Sequence, residues 1–248
     1  MARRERQDEH TVYDALIDAC AQGGCPICTL TLRAGDRYLR AILYEHVNDP
    51  TTRDALVAAR GYCNDHAWRL RALGGGLGAA LMYRDIVRRV ADELARHPEG
   101  GVPALLGGTP RTRGLRGRLG RLIRPTKGVK SRAEPRRACP ACRERDRHEL
   151  LYLGALLDRV RDERLAGAVR GAGGLCLTHL TQAGRATDDG NALERLFALE
   201  RLCLEDLHGA LDEFIRKHDY RFSAEGMGEE GDAWIRAIAF AAGKPGIR

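Results

Sequence analysis

Four short pairs in this 248-residue chain carry side chains that bind metal or move electrons. Cys25-Pro26-Ile27-Cys28 and Cys139-Pro140-Ala141-Cys142 are Cys-x-x-Cys pairs. Cys63-Asn64-Asp65-His66 and Cys176-Leu177-Thr178-His179 are Cys-x-x-His pairs. Cys63 lies 35 positions after Cys28, and Cys176 lies 34 after Cys142, so one constellation occurs twice at nearly one spacing. Each occurrence offers three thiols and an imidazole, the ligand set of a closed tetrahedral zinc site. Four protein ligands leave no open position for a substrate, which points to a structural metal. The eight expected ligands are Cys25, Cys28, Cys63, His66, Cys139, Cys142, Cys176 and His179.

Two other chemistries fit part of the pattern. Cys-Pro also occurs around four-iron clusters, which accept an occasional His ligand. A Cys-Pro-x-Cys at a helix start lowers a thiol pKa and suits thiol-disulfide exchange, but that reading leaves Cys63, His66, Cys176 and His179 without a role. The ligand grouping has two solutions. Closure within each occurrence is the simpler and is the expectation; exchange, with Cys25 and Cys28 meeting Cys176 and His179, satisfies the same spacing.

The elements that must position these residues read as helices. Apolar residues at helical spacing predict a helix over 11–20, a second from Pro26 to about Val47, a third over 51–60, a fourth opened by Cys63 and His66, and a fifth from about Leu77 to Arg96 with Ala80, Tyr83, Val87, Val90 and Leu94 as its seam. Pro26 suits a first helical turn, where its missing N–H is not needed. The pattern then returns. Tyr38 to Leu43 is answered by Tyr152 to Leu157, and Asn48-Asp49 by Arg161-Asp162. A long helix from about Gly190 to His218 uses Leu196, Leu199, Cys203 and Leu207 as its seam, and a short one spans 233–242. This is the signature of an internal duplication.

Between the copies, residues 98–138 follow no period and read as a mobile basic linker, with a brief amphipathic turn around Leu115, Leu119 and Leu122. Residues 109–138 hold eleven Lys or Arg against one Glu, more than the chain's whole net charge of +7. The remainder is therefore net acidic. The basic run suits sequence-independent contact with nucleic acid or another anionic partner. The start, Met1-Ala2-Arg3-Arg4, has no signal-peptide pattern, and no apolar run approaches the ~20 residues of a membrane span. A cytoplasmic setting keeps thiols reduced and favours metal over disulfides.

Other candidates carry less. Cys203 lies on an apolar seam and Cys20 ends a helix. Glu205-Asp206-Leu207-His208 matches the Glu-x-x-His of di-iron bundles but lacks a second copy. Gly74-Gly75-Gly76 reads as a helix-helix turn, Glu45, His46 and Asp49 as solvated or capping groups, and Trp68 and Trp234 as core or interface anchors.

Cys25-Pro-Ile-Cys28-Thr-Leu, Leu43-Tyr-Glu-His-Val-Asn-Asp49 and Gly61-Tyr-Cys63-Asn-Asp-His66-Ala-Trp68 resemble a family of uncharacterised bacterial and archaeal proteins. Its second half is similar to Cys139-Pro-Ala-Cys142 with Gly174-Leu-Cys176-Leu-Thr-His179. Its tail resembles Lys217-His-Asp-Tyr-Arg-Phe222 with Glu229-Glu-Gly-Asp-Ala-Trp234. The resemblance implies a duplicated unit with its own tail and transfers no catalytic residue.

The expectation is an all-α protein of two helical repeats, each clamped by a Cys3His site. The first repeat spans 1–97, the linker 98–138, and the second repeat with its tail helix 139–248. It holds two zinc ions and acts as a binding or scaffold module rather than an enzyme. The alternatives are an iron–sulfur redox protein and a thiol oxidoreductase.

Overall fold

Among the described residues, ten α-helices and two short 3-10 turns account for the regular structure, and no strand occurs. The computed structural model describes residues 2–96, 138–222 and 224–247, with residues 2–10 and 96 by backbone alone. The helices are α1 (Ala2–Cys20), α2 (Pro26–Tyr44), α3 (Pro50–Ala58), α4 (Asn64–Ala72), α5 (Gly76–Arg96), α6 (Pro140–Asp158), α7 (Glu163–Ala172), α8 (Leu177–Ala186), α9 (Gly190–Lys217) and α10 (Ala233–Ala242). No helix among the described residues is long and apolar enough to cross a membrane. Residues 98–137, with most of the basic run and the Leu115, Leu119, Leu122 turn, lie outside the described residues.

Two compact units divide the chain, one formed by residues 1–38 with 143–248 and the other by 39–142. The expected boundaries at 97 and 139 follow the repeat; these units do not. Each draws on both halves of the sequence, for a reason that appears at the ligand clusters. The first unit packs Leu16, Ile27 and Leu30 against Leu153, Leu156, Leu165, Val169, Leu175 and Leu196. The second buries Leu39, Ile42, Leu43, Leu56, Leu70, Met82 and Ile86.

Helix ends follow local chemistry. Asp49 caps α3 by accepting from Thr52 N at 2.8 Å, and Pro50 fills the first turn. Asp162 caps α7 in the same way, accepting from Leu165 N at 2.8 Å. Both helices end in the same wrap. Gly61 N donates to Leu56 O and Gly174 N to Val169 O, each at 2.9 Å, the six-to-one bond of a Schellman motif. The preceding residue must be left-handed; it is Gly173 (φ +92°) after α7 but Arg60 (φ +54°) after α3.

Three expectations move. α1 begins at Ala2, not Thr11, because its charged first turns have helix propensity without an apolar period. α2 stops at Tyr44, three residues early, so His46 is exposed. The seam of α5 is rotated: Met82 and Ile86 are buried while Val87 and Leu94 are exposed. Apolar residues on two stripes of α5 left its rotation open, and packing against α3 and α4 fixes it.

Candidate metal centres

All four ligand pairs sit at helix starts. Cys63 and Cys176 are the N-cap residues of α4 and α8, with extended backbone and no side-chain cap bond. His66 and His179 follow three residues on, in the first turn. Cys25 and Cys139 immediately precede Pro26 and Pro140, the first residues of α2 and α6, and Cys28 and Cys142 lie in the first turns. The N-cap side chain and the third helical side chain converge in the way a capping box does. Here they converge on each other as two ligands, and the free N–H groups of the turn favour thiolate.

The grouping is the exchanged one. Cys25, Cys28, Cys176 and His179 form one cluster, and Cys63, His66, Cys139 and Cys142 the other, with the ligand atoms of each within 4.8 Å of one another. The expected closure within each copy is corrected. Every cluster joins a Cys-x-x-Cys from one half of the chain to a Cys-x-x-His from the other, and the compact units are divided accordingly. The eight residues are those expected from the sequence; only their partners differ.

In the first cluster the His179 imidazole turns Nδ1 to the thiols, 3.0 Å from Cys176 Sγ and 3.4 Å from both Cys25 and Cys28. Cys28 and Cys176 Sγ are 3.6 Å apart. The ring's other nitrogen, Nε2, lies 2.7 Å from Glu149 Oε1. A carboxylate there fixes the tautomer and orientation of a ligating imidazole. All four ligands are buried, with exposures of 6% (Cys25), 0% (Cys28), 1% (Cys176) and 0% (His179). Burial pushes the Cys25 thiol well up, and the neighbouring Cys176 and Cys28 push it further. Hydrogen bonds from Cys25, Cys28 and His179 hold Cys176 well below the usual thiol range. Burial opposes a charged His179, but Cys176, Cys28 and Glu149 together raise it to about 11. These are the protons a metal ion must displace.

Two further residues hold this cluster, and neither was singled out from sequence. Glu200, buried on α9, accepts from Leu175 N at 2.7 Å and so fixes the residue before Cys176. Burial raises its carboxyl to about 7, against the pull of that hydrogen bond. Lys244, beyond α10, donates to Gly23 O at 3.1 Å and Thr29 Oγ1 at 2.7 Å, strapping the C-terminal segment across the start of α2. Glu149 lies seven residues after Cys142 on α6, and Glu200 falls on the Leu196 seam where Leu199 was expected. A carboxylate at a seam position was the available signal for both.

The second cluster repeats the donor geometry. His66 Nδ1 lies 3.1 Å from Cys63 Sγ, 3.4 Å from Cys142 and 3.8 Å from Cys139. Cys63 and Cys142 Sγ are 3.6 Å apart. His66 is buried, but the three cysteines are only half-buried. Burial, with the adjacent Cys139 and Cys63, raises Cys142 to about 12.

A family model matches residues 9–246. The chain belongs to a family of unknown function, DUF6062. It is also similar to an uncharacterized 23.9 kDa protein from the xynA 3′ region of Caldicellulosiruptor sp. (strain Rt8B.4), 25% identical over 230 residues, 92% of this chain and 99% of that one. No solved structure matches it.

The remaining candidates of this DUF6062 protein fall elsewhere. Cys20 and Cys203 are buried and outside both clusters. His208 faces Asp212 at 3.1 Å on an exposed stretch of α9, as part of no metal cluster among the described residues. Gly74 and Gly75 make a left-handed turn, with Leu43 against Gly75. Trp68 and Trp234 are 61% and 49% exposed, so neither is a core residue.

Proposed function

We propose that the protein binds two zinc ions, one per cluster, as closed structural sites that tie helix starts together, and that it works as a non-enzymatic binding or scaffold module. The observation that carries this is the spacing of the donors. Zinc at ~2.3 Å from sulfur and ~2.0–2.1 Å from nitrogen sets tetrahedral edges of about 3.8 Å between sulfurs and about 3.6 Å between sulfur and nitrogen. Cys28 and Cys176, like Cys63 and Cys142, hold their sulfurs 3.6 Å apart, sulfur-to-nitrogen separations run from 3.0 to 3.8 Å, and all ligand atoms of a cluster lie within 4.8 Å of one another. A four-iron cluster puts its ligands on separate iron atoms and spreads them farther than one ion does. Thiol exchange requires an accessible nucleophile, which buried Cys25, Cys28 and Cys176 do not offer; half-buried Cys139 and Cys142 do, but exchange leaves their convergence with Cys63 and His66 without a role.

The module reading also draws on α10, whose Trp234, Ile235 and Ile238 are exposed. The matching caps, Schellman ends and ligand positions of α2–α4 and α6–α8 support a duplicated unit whose ligands are exchanged between copies. We keep residues 109–138 as a contact for nucleic acid or another anionic partner, in a cytoplasmic setting. Retention on DNA should then fall when that run is replaced by Gly and Ser.

The deciding experiment is elemental analysis with an absorption spectrum, on protein purified without oxygen and without added metal. Two zinc per chain and a colourless solution are expected. Iron with acid-labile sulfide would overturn the reading, and metal-free folded protein would return thiol exchange to the front.

A further inference from the structure

We infer that the second cluster is an oxidative modification site: hydrogen peroxide converts Cys63 and Cys142 to a disulfide and expels the ion held there, while the first cluster keeps its own. The inference rests on the zinc reading and adds to it a reaction that only one of the two sites undergoes.

Reactivity of a zinc-bound thiolate toward an oxidant depends on its sulfur being reached. The first cluster denies that. Its four ligands are nearly or fully buried, Lys244 straps the C-terminal segment over the start of α2, and Gly243 stands close enough that a Cβ there would lie 3.6 Å from Cys28 Sγ. A crevice of about 290 Å³, lined by Arg170, Asp206, Arg236 and Phe240, does border Cys25 and Cys176. Those two side chains still expose no more than 6%. In the second cluster Cys63, Cys139 and Cys142 all keep partial exposure. Peroxide is small enough to use it.

The closeness of Cys63 to Cys142 across the two helices favours that pair. Cys63 and Cys142 Sγ lie 3.6 Å apart, and a disulfide of ~2.05 Å needs them to close by less than two ångströms. Cys63 caps α4 and Cys142 sits in the first turn of α6, so the bond would join two helix ends rather than helix interiors. The step balances. One thiolate attacks a peroxide oxygen, breaking the O–O bond and forming a sulfenic acid, and the hydroxide released takes a proton from solvent to give water. The second thiolate then displaces the sulfenic oxygen as hydroxide, which leaves as a second water. Two electrons pass from the two sulfurs to one peroxide. The ion keeps only Cys139 and His66, too few to hold it against water. Thiol reductant and added zinc reverse the change.

The test uses the intact zinc-loaded protein, its metal content measured first. Peroxide is added in steps, released zinc is followed with a colorimetric chelator, and disulfides are mapped by peptide mass. Loss of one of two zinc equivalents, with a Cys63–Cys142 disulfide and recovery of the ion after reduction, is expected. Simultaneous loss of both, earlier loss from the first cluster, a disulfide at another pair, or no release at all would overturn the inference. A starting content below two zinc would instead be a failure of the zinc reading. The measurement stands on the natural chain alone, with circular dichroism excluding general unfolding as the cause of release.

Discussion

Cys25, Cys28, Cys176 and His179 are sealed inside the first compact unit, while Cys63, Cys139 and Cys142 keep partial exposure in the second. The donor atoms, their order along the helices and their separations are nearly the same. The surroundings differ. The first cluster sits within a core that includes Leu16, Ile27, Leu153, Leu175 and Leu196, and Glu200 and Lys244 tie its flanking segments. Identical ligands can therefore serve one site that is part of a hydrophobic core and one that lies at its edge. In the former a bound ion and the core would stabilise each other; in the latter a bound ion would tie two helix starts with less burial around it.

Removing one ligand from each cluster tests that contrast most strongly. Structural zinc contributes on the order of 10 kcal/mol to the folding of small domains. Cys176→Ser should remove one zinc and also leave a polar, unpaired cluster buried in the core, so thermal unfolding of the first unit should fall steeply or the protein should fail to accumulate. Cys63→Ser should likewise remove one zinc, yet leave most of the helical circular dichroism in place. Equal loss of helix in the two variants would erase the distinction.

Glu149→Gln sharpens the contrast at one atom. The amide keeps the shape but removes the charge facing His179 Nε2. Outer-shell changes of this kind cost about 10–100-fold in metal affinity. Competition with a chelator should show one zinc equivalent weakened by that factor and the other unchanged. Weakening of both, or of neither, would mean that Glu149 does not tune the first cluster.

Much of this was legible in the sequence. The eight candidate ligands, the helical class, the capping role of Asp49 and the Gly-x-Cys turns follow from local rules that act within a few residues. The pairing of ligands does not. Exchange and closure within a copy satisfy the same spacing, because the choice is made by the packing of α1, α7 and α9 around Cys25 and Cys176, far apart along the chain. Glu149 and Glu200 were hidden for a related reason: on a helix with many charges, a buried carboxylate is distinguished only by what stands opposite it. The rotation of α5 was hidden by two competing apolar stripes.

The glycines that precede each Cys-x-x-His carry the contrast into the backbone. Both are left-handed, Gly61 at φ +91° and Gly174 at φ +80°. A Cβ on Gly61 would meet Tyr83 at an ordinary 3.5 Å, whereas one on Gly174 would lie 2.5 Å from Glu200 Oε2. Gly61→Ala should cost about 1–2 kcal/mol, the strain of the conformation alone. Gly174→Ala adds the displacement of a buried carboxylate that holds Leu175 N, for roughly 2–4 kcal/mol in all. Thermal or denaturant unfolding reads both, and a larger cost at Gly61 would mean that Glu200 yields freely and does not fix the Cys176 turn.

The smallest effect lies one residue earlier, where the two Schellman ends differ. The left-handed position after α7 holds Gly173, which adopts φ +92° without penalty. After α3 it holds Arg60 at φ +54°, where a side chain costs about 1 kcal/mol. Arg60 also reaches Glu93 at 3.6 Å, a contact between partly exposed groups worth a few tenths of a kcal/mol. The conformational strain is the larger of the two, so Arg60→Gly should stabilise the second unit by roughly 0.5 kcal/mol, a gain offset in part by the greater freedom of glycine in the unfolded chain. Gly173→Arg is the reverse exchange and should destabilise the first unit by about 1 kcal/mol, because a side chain is then forced into the left-handed conformation. If Arg60→Gly instead lowers stability, the Arg60–Glu93 pair outweighs the strain, and the second unit depends on charge where the first depends on backbone freedom.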